Sequence, residues 1–293
     1  MTINKFLLPQ SYVAAIKRLY KNYRRKQRIK SFLKGADSPG DVINAYQLFL
    51  SMELPFQQLP KEVLDHIAAT GNSSIILRHQ YFQNTTIEFD LSDNFQMAIC
   101  REFFIENVYD LTKVGFEPLL VIDCGGYKGY FTWLAKKKFP KAKLICIEAH
   151  QDNYNDIVRT AAANKIHNVD IVHAAVSNSD KPVDFFFEGS SGSMENNFSG
   201  REGKVRVQTV NLYDLFEDWN NVLLKVDIEG AELDFFPGII DSLPKKCAIF
   251  LETHDGWNSL GDISDQFIRN GFSFKVIRER ERYIDSFAQR QLT

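Results

Sequence analysis

The chain has 293 residues, 44% of them hydrophobic and 13% aromatic, enough for one large α/β domain with an added segment or for two small domains. With 35 Lys and Arg against 37 Asp and Glu, the net charge of −2 implies no global attraction to a polyanion. The charge is unevenly placed, however. Residues 1–34 hold ten basic side chains and no acid, so the remainder sets 25 bases against all 37 acids. A basic tail on an acidic body suggests either a solvated helix or peripheral attachment to an anionic membrane surface. Nucleic acid is disfavoured as a partner, because the body is acidic and carries no RNA-binding motif. No apolar run approaches the ~18 residues needed to span a bilayer. The first residues lack an apolar stretch with a small-residue cleavage site, so a signal peptide is not expected. Cys100, Cys124, Cys146 and Cys247 form no CxxC pair and read as reduced thiols of a cytoplasmic protein.

In chain order, residues 11–34 have helical spacing, with apolar Tyr12, Ile16, Leu19, Tyr20 and Tyr23 three and four apart. Residues 35–40 form a Gly/Ser/Pro break. Residues 41–70 are helical again, interrupted at Pro55 and Pro60. Short strands are expected at 75–77 and 86–89, and a helix at 94–109 leads into the main domain. From Pro118 the pattern alternates: strand 119–122, helix 130–138, strand 143–147, helix 152–164, strand 169–173. Strands at 183–187 and 205–210 flank a Gly/Ser/Asn-rich segment, 188–204, whose length marks a lid or substrate loop. Strand 222–226 precedes a helix from Ala231. Strand 248–251, helix 263–270, strand 272–277 and a terminal hairpin strand at 283–287 complete the chain.

This alternation implies an α/β fold, a doubly wound and mainly parallel sheet covered on both faces. It occupies residues 93–293, behind an α-rich N-terminal extension at 1–92 that is basic in 1–34.

The segment Val121-Ile122-Asp123-Cys124-Gly125-Gly126-Tyr127-Lys128-Gly129-Tyr130-Phe131 reads as a strand, a glycine turn and a helix start. Glycine lets the backbone turn sharply and a ligand approach the helix N-terminus. The run does not match GxGxxG, and a carboxylate at the strand end would repel a pyrophosphate. It would suit a ligand carrying an ammonium and a sulfonium. Glu148 ends the next strand, 25 residues after Asp123, where an acid can meet the two hydroxyls of a ribose. A nucleoside-type ligand follows.

The runs VIDCGGYKGYF, ICIEAH, VHAAVSN, LLKVDIEGAEL and FLETH together resemble the FkbM-type methyltransferases over roughly residues 95–280. Gly126-Tyr127 replaces the usual Ala-Asn. The resemblance implies the class I methyltransferase (Rossmann-like) fold and S-adenosyl-L-methionine as methyl donor, with transfer usually to oxygen on small molecules and sugars. It also implies that Asp123 and Gly125 lie beside the methionine part, with the backbone near Tyr127 and Gly129. Glu148, followed by Ala149, would hold the ribose. Ala174, Ala175 and Val176 would line the adenine side, and Asp227 would stand near the reactive methyl.

A second acidic block, Lys225-Val226-Asp227-Ile228-Glu229-Gly230-Ala231-Glu232, ends a strand, and Glu252 and His254 follow the next one. Ligands of open α/β sheets bind outside the carboxyl ends of strands, so these side chains should share a crevice with Asp123 and Glu148. Three readings stand open. His254 is a general base whose tautomer Glu229 or Glu252 holds. Alternatively Asp227, Glu252 and His254 bind a divalent cation that acidifies a hydroxyl. In the plainest reading, Glu229 and Glu232 merely favour a helix N-terminus. Lys225 reads as a partner for one of these acids rather than a catalyst. The remaining histidines show no zinc spacing. A non-catalytic nucleoside-binding module, or an aminopropyl-transferase-like enzyme of the same fold, is the alternative to a methyltransferase acting on a glycan or small-molecule hydroxyl.

Overall fold

The computed structural model describes residues 44–45, 47–49, 52, 59, 61, 64–65, 73–79, 85–188, 191–193, 203–254, 257–280 and 283–290. The expected helix at 11–34, the break at 35–40 and most of the segment 188–204 lie outside the described residues. The chain divides into two compact units, Met1–Asn107 and Val108–Thr293. The helix read from the sequence as leading into the main domain falls in the first.

In that first unit, β1 (Ser74–His79) and β2 (Thr85–Asp90) form an antiparallel hairpin. Its inward residues Leu77, Ile87 and Phe89 are buried, while Ile76 points to solvent. The following α1 (Asn94–Arg101) is capped by Asp93, whose carboxylate accepts from Gln96 N at 2.9 Å. The single helix expected at 94–109 is shorter than that. It passes into a π-helical turn, Glu102–Glu106, and stops at Asn107, which takes a left-handed φ of 53° and returns its amide to Glu102 O.

The second unit is built on β3 (Leu120–Cys124), β4 (Lys143–Glu148) and β5 (Val169–His173), with α2 (Tyr130–Lys138) and α3 (Gln151–Ala163) between them. A short β6 (Ala175–Ser177) follows. Then β7 (Val183–Glu188), β8 (Ser191–Ser193) and β9 (Gly203–Val207) form a separate three-stranded antiparallel sheet. Next come β10 (Thr209–Asn211), α4 (Leu212–Phe216), β11 (Asn221–Val226), α5 (Glu232–Phe235), β12 (Lys246–His254), α6 (Trp257–Arg269), β13 (Phe272–Glu279) and β14 (Tyr283–Arg290).

The strand expected at 205–210 divides at Gln208, because its halves serve different sheets. β9 pairs with β7, while β10 pairs with β6. The helix expected from Ala231 is a single α turn followed by 3-10 turns containing Pro237. Proline has no amide to donate and so does not extend an α ladder.

The main sheet runs β13-β14-β12-β11-β3-β4-β5. Its pairings are parallel from β12 to β5, and β14 is antiparallel to both β12 and β13. This is the class I methyltransferase topology that the resemblance implies. Strand order reverses between β3 and β11, which places the switch-point crevice at the carboxyl ends of those two strands.

One sheet face carries a core of Leu120, Ile122, Leu224, Val226, Ile249, Leu251, Phe236 and Phe267, with Ile263 of α6. On the other, Phe250 meets Tyr109, Phe131 and Phe287 ring to ring at 4.9–6.1 Å. The four cysteines are free and buried. Phe250→Ala is expected to cost ~3–5 kcal/mol, since the ring is 1% exposed and wedged among three others, and urea unfolding measures this.

Candidate active site

The glycine turn after β3 is held by its own geometry. Gly125 has φ 78°, and a Cβ there would lie 1.9 Å from Asp227 O. The loop after β11 therefore packs on the turn backbone to backbone, and only glycine fits. Tyr127 also takes a left-handed φ, 51°, uncommon for a residue with a side chain. Its amide is rewarded by Glu148, whose Oε2 accepts it at 2.7 Å. Glu148 Oε1 accepts His150 N at the same distance. One carboxylate thus spans two loops, and each of its oxygens keeps a second lone pair. Burial pushes Glu148 up to about 7, against the two amides, which pull it down.

Asp123 is 1% exposed. Its Oδ2 accepts from Thr132 N and Oγ1 at the start of α2, at 3.2 and 2.7 Å. Its Oδ1 has no hydrogen-bond partner and faces Lys225 Nζ at 3.6 Å. Burial holds its carboxyl above the usual range, opposed by Lys225 and Thr132.

Lys225 lies beside Asp123 in the pairing of β11 with β3 and is 3% exposed. Its ammonium donates to Gly125 O and to Cys124 O, and pairs with Asp227 Oδ2 at 3.3 Å. Burial works against its charge, and Asp227 and Asp123 outweigh that and raise it.

Ala174, Ala175 and Val176, the residues expected to line an adenine, are buried at the start of β6 and just before it. The side chains of Ala174 and Val176 belong to the hydrophobic core. The amides of Ala174 and Ala175 are already taken, by Glu148 O at 3.1 Å and Gln208 O at 2.9 Å. Ala149 offers its carbonyl to the His173 ring at 3.0 Å. Gly129 sits over Trp133, with φ 79° and a would-be Cβ 2.8 Å from the indole.

Across the switch point, Asp227, Glu252 and His254 do converge. Each can present one ligand atom, and these atoms lie within 4.8 Å of one another. Two carboxylates and an imidazole form a donor set that fits a divalent cation, although Lys225 already pairs with Asp227. Glu229, with a left-handed φ of 58°, brings Oε2 within 3.4 Å of His254 Nε2, and Glu252 Oε1 stands 3.7 Å from the same nitrogen.

The residue that orients the ring is neither of these. Glu232, 1% exposed, takes His254 Nδ1 at 3.0 Å while also accepting the amides of Ile228 and Gly230. Sequence reasoning gave Glu232 only a place at a helix N-terminus. The block EGAE contains the signal, since a carboxylate two residues after Gly230 can fold back onto that loop. Tyr283, missed altogether, sets its ring edge-on to His254 at 5.1 Å. Asp285 stands opposite Glu252 in the β12–β14 register and accepts Arg278 Nε at 2.6 Å.

Burial disfavours a charged His254, but the Glu232 hydrogen bond and charge, then Glu229 and Asp227, override it and raise the ring to about 10. A folded-state value above the ordinary 6.5 means that the charged ring contributes stability fully below pH 6.5, lost as pH rises through about 10. Ring resonances followed by NMR should therefore titrate near pH 10. Glu232→Gln should lower that midpoint by about one to two units, because it removes the main partner of the imidazolium. A wild-type midpoint near 6.5 would contradict the geometry.

Among known proteins, the model of the methyltransferase FkbM domain matches residues 123–274, just over half of the chain. "Methyltransferase 1" of Beauveria bassiana is 23% identical over 167 residues, 49% of this chain and 67% of that protein. "Methyltransferase sdnD" of Sordaria araneosa is 26% identical over 177 residues, 48% of this chain and 68% of that one. Among solved structures, M. jannaschii TYW2 in complex with AdoMet overlaps at a TM-score of 0.45 and 14% identity, covering 74% of this chain and 85% of that one. Overlaps this loose carry no weight beside the strand order itself. Because the matched stretch begins at Asp123 and takes in both strand-end clusters, this protein belongs to the FkbM methyltransferase domain family.

Proposed function

We propose that this methyltransferase uses S-adenosyl-L-methionine to methylate a hydroxyl of a sugar, glycan or other small molecule. The observation that carries the reading is the pairing, on either side of one switch point, of a Glu148-braced glycine turn with the Asp227–Glu252–His254 cluster. The free lone pairs of Glu148 suit two ribose hydroxyls, and the turn from Gly125 to Gly129 offers close backbone approach. The donor, when bound, supplies an electrophilic methyl carried on a sulfonium, for which the acid-rich strand ends are a complementary environment.

Methyl transfer to oxygen requires the acceptor hydroxyl to lose its proton, and the acids around His254 are the groups placed to manage this. In the first route His254 Nε2 takes the proton. That route needs a neutral ring, whereas Glu232 favours the charged one. The compact donor set supports a second route: Asp227, Glu252 and His254 would hold a divalent cation, which would acidify a bound hydroxyl so that its proton passes to water. A cation there would also replace the ring proton as the charge that the acids surround.

The ten basic residues of 1–34 fall outside the described residues, and no helix among those described is long and apolar enough to cross a membrane. An anionic membrane surface remains the proposed partner of that segment, with the body in the cytoplasm.

Calorimetric titration with S-adenosyl-L-methionine tests the reading. Glu148→Gln should weaken binding roughly 10- to 100-fold, the loss of a charge-assisted hydrogen bond. Wild-type affinity should fall as pH drops through about 7, where Glu148 gains a proton, and the Gln variant should lack this slope. No binding by the wild type would end the reading. With an acceptor in hand, EDTA should abolish turnover, and Mg²⁺ or Mn²⁺ restore it, only if the cation route holds. The 293-residue chain should sediment with anionic liposomes at low salt and a chain lacking 1–34 should not; equal behaviour would remove the membrane partner.

A further inference from the structure

Lys225 has no part in either proton route, yet it is the most enclosed cation of the site. It stands on the central strand at 3% exposure, within reach of both acid clusters. Burying an ammonium is costly unless it is paired and hydrogen-bonded, and here each donor has a purpose. One reaches the carbonyl of Gly125, the residue that packs against Asp227 O. Another reaches Cys124 O at 3.3 Å. The remaining attraction is shared by Asp123 Oδ1 at 3.6 Å and Asp227 Oδ2 at 3.3 Å. Asp123 in turn holds the first turn of α2 through Thr132. One ammonium therefore links the end of β3, the glycine turn, the start of α2 and the loop after β11.

We infer that Lys225 is the positioning residue of the donor site, holding the glycine turn and the Asp123 and Asp227 carboxylates in the one arrangement that the methyl donor enters. The inference rests on the proposed use of S-adenosyl-L-methionine, and it makes an unusual claim about sign. If Lys225 only balanced the acids, its removal would relieve repulsion of a cationic ligand and tighten binding of the sulfonium. If it positions the turn, binding weakens, and it weakens equally for S-adenosylhomocysteine, which has the same nucleoside and amino-acid parts but a neutral sulfur.

The test is titration of the full chain and of Lys225→Met with both ligands, alongside thermal unfolding. Methionine keeps an unbranched side chain and removes the ammonium. Wild-type binding is measured first, and its absence would refute the cofactor reading rather than this inference. Given wild-type binding, K225M should lose roughly 10- to 100-fold in affinity for both ligands in parallel. With an acceptor, KM for the donor should rise more than kcat falls. Unchanged affinity, or tighter binding of the sulfonium alone, would overturn the inference. Should K225M not fold, Lys225→Gln, which keeps a polar head at that depth, is titrated in the same way. If neither variant folds while the wild type does, Lys225 is a folding residue and the inference fails.

Discussion

A buried ammonium on the central strand organises the carboxyl end of this sheet. Lys225 sits where strand order reverses, between β3 and β11, with Asp123 as its register neighbour. Buried ion pairs are poor sources of net stability, because desolvation offsets much of the Coulomb gain. Removing one partner is far more costly, since it strands the other charge in a dry site. Lys225, Asp123 and Asp227 therefore stand or fall together. What they secure is a loop geometry: a glycine turn pressed against the backbone of the loop after β11, with no room for even one extra methyl.

The same logic repeats twice at the strand ends. Glu148 joins the Tyr127 and His150 loops through two amides, and Glu232 closes the Asp227–Gly230 loop before it reaches His254. In each case a buried carboxylate first satisfies the protein's own backbone donors and only then has lone pairs for a ligand or an imidazole. Non-glycine residues in left-handed conformation, Tyr127 and Glu229, occur in these two braced loops. Strain of that kind, of order 1–3 kcal/mol, persists where surrounding bonds over-determine it, as they do here.

His254 shows how neighbours can change the chemistry of a residue. An isolated imidazole near its ordinary value is a ready base, and proton removal is one of the readings the sequence leaves open. With Glu232, Glu229, Glu252 and Asp227 around it, the charged form of the ring is favoured, and in that form it balances the acids. A divalent ion would serve the same balance, which is why the basic and the metal-assisted routes compete for one group of atoms.

Much of this was legible in the residues. The spacing of the Asp123 turn, Glu148, the KVDIEGAE block and His254 is local, and strand-end positions follow from the alternation of apolar strands with helices. Those signals determined the fold class, the family and the shared crevice. Several features depended on tertiary contact and had no local signature. The choice of Glu232 over Glu229 or Glu252 as the partner of His254 depends on how a one-turn helix folds back after Gly230. The division at Gln208 depends on two sheets competing for one apolar run. Tyr283 and Asp285 reach the site only because β14 inserts antiparallel beside β12. Short-range pattern reports which residues can lie at a strand end; which of them touch, and in what charge state, is decided by neighbours distant in sequence and by the exclusion of water between them.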